Sequence, residues 1–289
     1  MNIVYLVFGN KMSYYQQVFF SIYTVLAYKG ASDNIIVLTE EPSLFNQLKG
    51  RITVESLDKD LVKDWLGKYQ YMFRVKIKAL EYIAQQYPEK DLLYLDVDTF
   101  VYNSLTPLRD KLEQGTSIMH IDEGQLNKFT TKTGKRFWKE LKGNTYGGIL
   151  ITEDTCMWNA GVLGVSKSNF SSISLALDIT DQMCQAGIKA FTKEQLAFSL
   201  AFNSTGDMTP ADHIIGHYWG NKEQWDDFIS DWLKKAFMHN YTVDEVIANV
   251  RSIPLDQIPY YLKHSNTLKR LSRKLQNIFQ PKNPQFIKK

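Results

Sequence analysis

The stretch Leu92-Leu-Tyr-Leu-Asp-Val-Asp-Thr-Phe-Val101 joins a short apolar run to two acids one residue apart. An apolar run of this length reads as a buried strand, so Asp96 and Asp98 fall at the end of one. Side chains alternate along a strand, which sets both carboxylates on one side and turns Val97 away. Neighbouring carboxylates repel, and burial aggravates this unless a cation lies between or beside them. Oxygen ligands of this kind suit Mn²⁺ or Mg²⁺, ions that commonly hold substrate phosphates as well. An isolated Asp-x-Asp is as readily a solvated turn, but directly after a buried run the metal site is the stronger reading.

Upstream, the chain alternates strand and helix. Residues 2–9 read as a buried strand, 16–28 as a helix closed by Gly30, 34–38 as a second strand and 52–57 as a third. Residues 71–87 read as a helix, with Phe73, Ile77, Leu80 and Ala84 at helical spacing and Pro88 just beyond. The Asp-Val-Asp strand is then the fourth. Such alternation predicts an α/β fold with a mainly parallel central sheet flanked by helices, and ligands bind at the carboxyl ends of such strands. Arg74 and Lys78 lie four apart, opposite the apolar stripe. Like charges at that spacing suit either a phosphate-facing role or a solvated face shared with Glu81.

Downstream, residues 116–121 and 161–165 are strand-like, and 173–186, 193–202, 226–237 and 243–250 read as helices. Residues 122–148 are polar, carry glycines that include Gly134, Gly143, Gly147 and Gly148, and show no apolar period. They read as a long surface excursion, and loops of that length are usually functional or disordered. The segment Ile214-Ile-Gly-His-Tyr-Trp-Gly-Asn-Lys222 supplies what a diphosphate site needs: an imidazole at His217, close backbone approach at Gly220 and a point charge at Lys222.

Taken together, these segments resemble the GT-A-fold nucleotide-sugar transferases, in particular glycosyltransferase family 8. Tyr94-Leu-Asp-Val-Asp98 is close to the family's YLDxD, Trp158-Asn-Ala-Gly-Val-Leu163 resembles its FNAGV segment, Glu194-Gln195 its acid-Gln pair, and His217–Lys222 its H-x-x-G-x-K element. Over roughly residues 1–225 the order is the family's own. The resemblance implies a metal, Mn²⁺ or Mg²⁺, held by Asp96, Asp98 and His217. It implies donor binding by Val7, Phe8 and Gly9 at the end of the first strand, by Arg74 and Lys78, by Val97, by Asn159, Ala160 and Gly161, and by Gly220 and Lys222. Glu194 and Gln195 join the two aspartates in the catalytic set. The activity implied is transfer of a sugar from a nucleotide-diphosphate-sugar to a glycan or lipid-linked glycan, with retention of configuration. Two departures are that Glu223-Gln-Trp225 replaces the family's Pro-Trp and that Glu194 stands for the commoner Asp. The residues after Gly9 do not match, which leaves the donor's base and sugar open.

Two other classes fit part of the sequence. A haloacid-dehalogenase-like phosphatase also begins from an apolar strand ending D-x-D-x-T, and Asp207 and Asp212 mimic its later acids. It leaves the Asn-Ala-Gly-Val and His217–Lys222 segments unexplained. A sugar-nucleotide-binding module without turnover is the non-catalytic alternative.

Composition bounds the rest. With 289 residues, 44% hydrophobic and 22% charged, the chain is an ordinary folded protein with a sizeable core. The 13% aromatic content serves either that core or a carbohydrate site. Two cysteines, Cys156 and Cys184, imply no disulfide framework and suit a reducing cytoplasm. No stretch reaches the ~18 apolar residues that a spanning helix needs. The net charge of +3 hides an asymmetry, because residues 260–289 hold eight Lys or Arg and no acid, leaving the first 259 residues at −5. Within 264–289, Leu268, Leu271, Leu275, Ile278 and Phe279 recur at helical spacing among basic residues. A basic amphipathic helix over 265–289 suits peripheral contact with an anionic membrane at its inner face, or packing on the catalytic domain. Basic residues elsewhere do not cluster, so nucleic acid is not an expected partner. The expected organisation is a catalytic domain over 1–225, with its acceptor-side loop at 122–148, and a helical extension over 226–289.

Overall fold

Every residue of the first strand, β1 (Asn2–Val7), is buried. Its unbroken apolar character follows from its central place in a sheet covered on both faces. Beyond it Gly9, at φ +83°, turns the chain toward α1 (Met12–Tyr28). Strands β2 (Asn34–Thr39) and β3 (Thr53–Ser56) follow. The short helix α2 (Lys59–Leu66) is capped by Asp58, whose carboxylate accepts the N–H of Asp60, and precedes α3 (Arg74–Gln86) and β4 (Leu92–Leu95). The computed structural model describes residues 1–255 together with Leu271 and Leu275.

After β4 come β5 (Thr99–Val101), α4 (Thr106–Glu113), β6 (Ser117–Met119) and β7 (Asp122–Gln125). Helix α5 (Lys132–Leu141) leads to the small hairpin of β8 (Thr145–Tyr146) and β9 (Ile149–Leu150), then to β10 (Cys156–Trp158) and β11 (Val162–Val165). The last third holds α6 (Ser171–Gln185), α7 (Lys193–Thr205), β12 (Met208–Pro210), β13 (Ile215–His217), α8 (Lys222–Met238) and α9 (Val243–Arg251).

The central sheet has seven strands in the order β12-β6-β11-β4-β1-β2-β3. It is mostly parallel; β11 runs against both of its neighbours, β4 and β6. The chain first builds outward from β1 to β2 and β3, then crosses back to lay β4 on the other side of β1. That reversal between β1 and β4 opens a crevice at their carboxyl ends, the usual ligand position in open α/β sheets. Side-chain alternation divides the core into two layers. Ile3, Tyr5, Val7, Leu93 and Leu95 face one side with α1, α4, α8 and α9. Val4, Leu6, Leu92 and Tyr94 face the other with α2, α3, α5, α6 and α7.

Several expectations change. Residues 122–148 are not an unstructured excursion: β7, α5 and β8 occupy them, and Phe137 and Leu141 on α5 join the core. The apolar period there is only that one i, i+4 pair among basic residues, too sparse to signal a helix. The division set between residues 225 and 226 falls inside α8, whose Trp225, Ile229 and Trp232 share the core of Phe20 and Tyr23 on α1. Cys156 and Cys184 are free thiols. The amphipathic helix read over 265–289 lies outside the described residues, apart from Leu271 and Leu275, both helical and solvent-exposed.

Trp225 ties α8 to the site strands. It is fully buried and stacks on Tyr218 at 4.6 Å and on Phe100 at 5.1 Å. Trp225→Ala should therefore lower the unfolding free energy by about 3–5 kcal/mol in urea titrations, the range for large-to-small core substitutions. A loss under 1 kcal/mol would mean that α8 is an appendage.

Candidate active site

The Asp-Val-Asp segment does not continue β4. Asp96 N–H donates to Gly161 O at 2.9 Å, and the Thr99 N–H and hydroxyl both donate to Asp96 O, at 3.2 and 2.7 Å. The chain thus turns at once into β5. The two carboxylates converge through this turn rather than through strand alternation, while Val97 packs against the core on the α1 side. Strand β13 pairs antiparallel with β5, setting His217 opposite Thr99. One ligand atom from each of Asp96, Asp98 and His217 lies within 4.8 Å of the others.

Cations surround the acids. Lys222 Nζ stands 2.7 Å from Asp98 Oδ2, and His217 Nε2 is 3.4 Å from the same oxygen. Burial resists ionisation of Asp98, only 4% exposed, but His217 in its protonated form and Lys222 outweigh it and hold its carboxyl well below the usual range. Lys76 Nζ lies 3.0 Å from Asp96 Oδ1, 4.0 Å from Glu194 Oε1 and 3.2 Å from Ala160 O. Burial works against its charge, yet Asp96 and Glu194 more than compensate and raise its pKa. Burial pushes the Glu194 carboxyl upward, an effect that Lys76 and the Tyr71 hydroxyl, donating at 2.7 Å, only partly offset.

A second set of contacts fixes the imidazole. Asn159 Oδ1 accepts the Gly161 N–H at 3.0 Å and lies 3.0 Å from His217 Nδ1. Asn159 Nδ2 donates to Glu123 Oε1 at 3.3 Å, and Gln195 Nε2 donates to Glu123 Oε2 at 3.0 Å. With Nδ1 facing an acceptor, a neutral His217 carries its proton there and turns a lone pair from Nε2 toward Asp98. Two acceptors facing each other call for a cation, so the residues fit a hard divalent ion held by two carboxylates and an imidazole. Gly161 is required by this geometry, because a Cβ there would collide with the His217 ring.

These residues line a cleft of about 480 Å³. Asp96, Asp98, Asn159, Ala160, Gly161, Glu194, Gln195, His217 and Lys222 all reach it, as the sequence suggested. The lining also holds four phenylalanines, Phe73, Phe129, Phe137 and Phe191. Val7, Phe8, Gly9, Val97 and Gly220 are not among its lining residues; the Gly9 N–H donates to Glu40 at 2.7 Å beyond β1, and Gly220 lies in the turn between β13 and α8. Arg74 and Lys78 also stay outside. Arg74 donates to Asp181 at 2.8 Å and to Trp65 O at 2.9 Å, and Lys78 pairs with Glu81. The cation that α3 delivers to the cleft is Lys76, a residue the sequence reading passed over. It falls on the apolar stripe with Phe73, Ile77 and Leu80, and a lone lysine on such a stripe was the available signal. Glu123 was also missed, and nothing local in the sequence marks it. Asp207 and Asp212, the acids that suggested a phosphatase, do not line the cleft; their backbone carbonyls accept from Ser117 N–H and Tyr102 hydroxyl.

The mixed seven-stranded sheet and its helices make this the GT-A fold of glycosyltransferases. The chain is similar in structure to mouse xyloside xylosyltransferase 1 in its apo form, at 11% identity and a TM-score of 0.50 over 73% of this chain and 85% of that one. It is similar also to an active-site mutant of LgtC, at 16% identity and a TM-score of 0.51 over 88% of this chain and 98% of that one. At these identities the likeness is one of fold. The sequence matches no protein-family model and no curated protein.

Gly161→Ala should displace the His217 ring while leaving the sheet intact. Mn²⁺ affinity is expected to fall on the order of 10–100-fold, as for other changes that misalign a metal-ligating histidine. Melting curves over a Mn²⁺ titration, with circular dichroism as the folding control, would register it; unchanged affinity would mean that His217 is not a ligand.

Proposed function

We propose that this protein is a metal-dependent glycosyltransferase. It moves a sugar from a nucleotide-diphosphate-sugar to a glycan or lipid-linked glycan, with retention of configuration. The observation that carries this reading is the convergence of Asp96, Asp98 and His217 just beyond the carboxyl end of β4 in a GT-A fold, with Lys222 beside them. A phosphate monoesterase would not need the amides of Asn159 and Gln195 in the same cleft.

Asp96, Asp98 and His217 would hold Mn²⁺ or Mg²⁺, which when bound supplies Lewis-acid stabilisation of the donor diphosphate. Lys222 adds a positive charge where negative charge develops on the departing nucleotide diphosphate. Its side chain is 41% exposed, so it can exchange Asp98 for a phosphate oxygen. Asn159 and Gln195 orient the donor sugar, with Ala160 and Gly161 giving close backbone approach. Lys76 takes the place first assigned to Arg74, and Glu194, held by Lys76 and Tyr71, completes the catalytic set. Phe8, Gly9 and Gly220 border the path along which the nucleotide extends from the cleft, whereas Val7 is buried and Val97 packs on the core. Phe129 and Phe137 of the 122–148 segment face the acceptor. Retention rests on the resemblance to glycosyltransferase family 8.

No helix among the described residues is long and apolar enough to cross a membrane. Polysaccharide or glycolipid biosynthesis at the cytoplasmic face, with residues 265–289 on anionic lipid, is the setting that fits a basic tail.

A thermal-shift screen of nucleotide-sugars with and without Mn²⁺ tests the assignment. At least one donor should stabilise the wild type only when the metal is present, and Asp96→Asn and Asp98→Asn should keep the fold but lose that response. No metal-dependent stabilisation by any donor would end the reading; donor binding without product under any acceptor would favour a binding module. Deleting residues 265–289 should reduce sedimentation with anionic liposomes while sparing transfer to a soluble acceptor. Undiminished sedimentation would remove the tail from the membrane model.

A further inference from the structure

We infer that Glu123 is a positioning residue that locks the side-chain amides of Asn159 and Gln195 and, through Asn159, sets the His217 tautomer that metal binding requires. The inference rests on reading Asp96, Asp98 and His217 as ligands.

The hydrogen bonds leave little freedom. The backbone N–H of Gly161 can only donate, so the Asn159 atom 3.0 Å from it is the amide oxygen. Asn159 Nδ2 must then point the other way, where Glu123 Oε1 accepts it at 3.3 Å. An ionised carboxylate offers acceptors only, so both ends of the amide agree on one orientation. His217 Nδ1 stands 3.0 Å from the same amide oxygen and must carry the proton. The neutral ring is left with its lone pair on Nε2, the nitrogen that faces Asp98 at 3.4 Å. A rotated Asn159 amide would present its NH₂ to the ring and demand the opposite tautomer, with a protonated Nε2 unable to ligate.

Glu123 is what resists that rotation from the outer side. Asn159 is only 5% exposed, so removing the carboxylate strands its NH₂ in the cleft wall. The other oxygen, Oε2, accepts Gln195 Nε2 at 3.0 Å, so the NH₂ of that amide is fixed as well and its carbonyl oxygen is the end left for the cleft. Glu123 itself is exposed on β7 and belongs to neither core layer, which separates its role from folding.

The test measures Mn²⁺ affinity for the wild type, Glu123→Ala and Glu123→Asp, each with His217 present and in a His217→Ala background. Aspartate keeps the charge but is one methylene too short to span both amides. Both variants should lose about tenfold in affinity when His217 is present, as when the partner of a metal-ligating histidine is removed, and nothing further when it is absent. In ¹⁵N NMR of the metal-free proteins, the neutral His217 ring should be protonated at Nδ1 in the wild type and mixed between nitrogens in the variants. An equal loss in both backgrounds, or a Glu123→Asp variant that binds like the wild type, would reduce Glu123 to a bulk charge and overturn the inference. So would an unaltered His217 signature. A wild type that fails to bind Mn²⁺ would count against the metal reading, while the NMR comparison would still decide the role of Glu123.

Discussion

Two acids set side by side at the end of a central strand are tolerable only where positive charge is brought to them, and this constraint organises the molecule. The charge comes from Lys76 on α3 and Lys222 at the start of α8, and His217 at the end of β13 turns its ring to the same acids. None of the three is near the acids in sequence. Helix α3 must therefore present its buried face to the crevice, β13 must pair with β5, and α8 must begin where β13 ends. The core then fixes the same arrangement independently, with Trp225 stacked between the site strands and α1. Removing one charge from such a group costs more than the pairing supplies, since a buried ion is left without a counterpart.

The same constraint accounts for the network around Asn159. A histidine beside a buried carboxylate has two ways to carry its proton, and only one leaves a nitrogen free for a metal. The polar residues that decide between them, Asn159 and Glu123, are as much part of the site as Asp96, Asp98 and His217, although neither bonds to the carboxylate of Asp96 or Asp98. Gly161 contributes by having no side chain at the point where the ring must sit.

Much of this was legible in the sequence where the pattern is local. Strands β1, β2 and β4 are near-continuous apolar runs because both sheet faces are covered, and α3 and α6 follow their helical periods. The Asp-Val-Asp pair was recognised for its chemistry but not for its shape, since the turn depends on Gly161 O and Thr99, and the first of these lies far along the chain. On α3 the reading attended to Arg74 and Lys78 and passed over Lys76, because a lysine on an apolar stripe is interpretable only once its partners, Asp96 and Glu194, are known. Helix α5 escaped notice because a two-residue apolar stripe suffices when the helix needs only to cover an existing core. Glu123 carries no local signal at all; its importance is a property of where Asn159 and Gln195 arrive.

The pairing of β7 with β10 has a consequence for how the cleft is assembled. These short strands form a clasp at the base of everything between residues 126 and 155, with Gln125 opposite Cys156 and Asp122 opposite Trp158. The chain leaves the sheet and re-enters it at nearly one point, immediately before Asn159. The stretch within the clasp supplies Phe129, Gly134 and Phe137 to the cleft lining and Phe137 and Leu141 to the core, while the charged floor comes from outside it. Roof and floor of the cleft thus come from separate stretches of the chain, and the two meet at one short pair of strands.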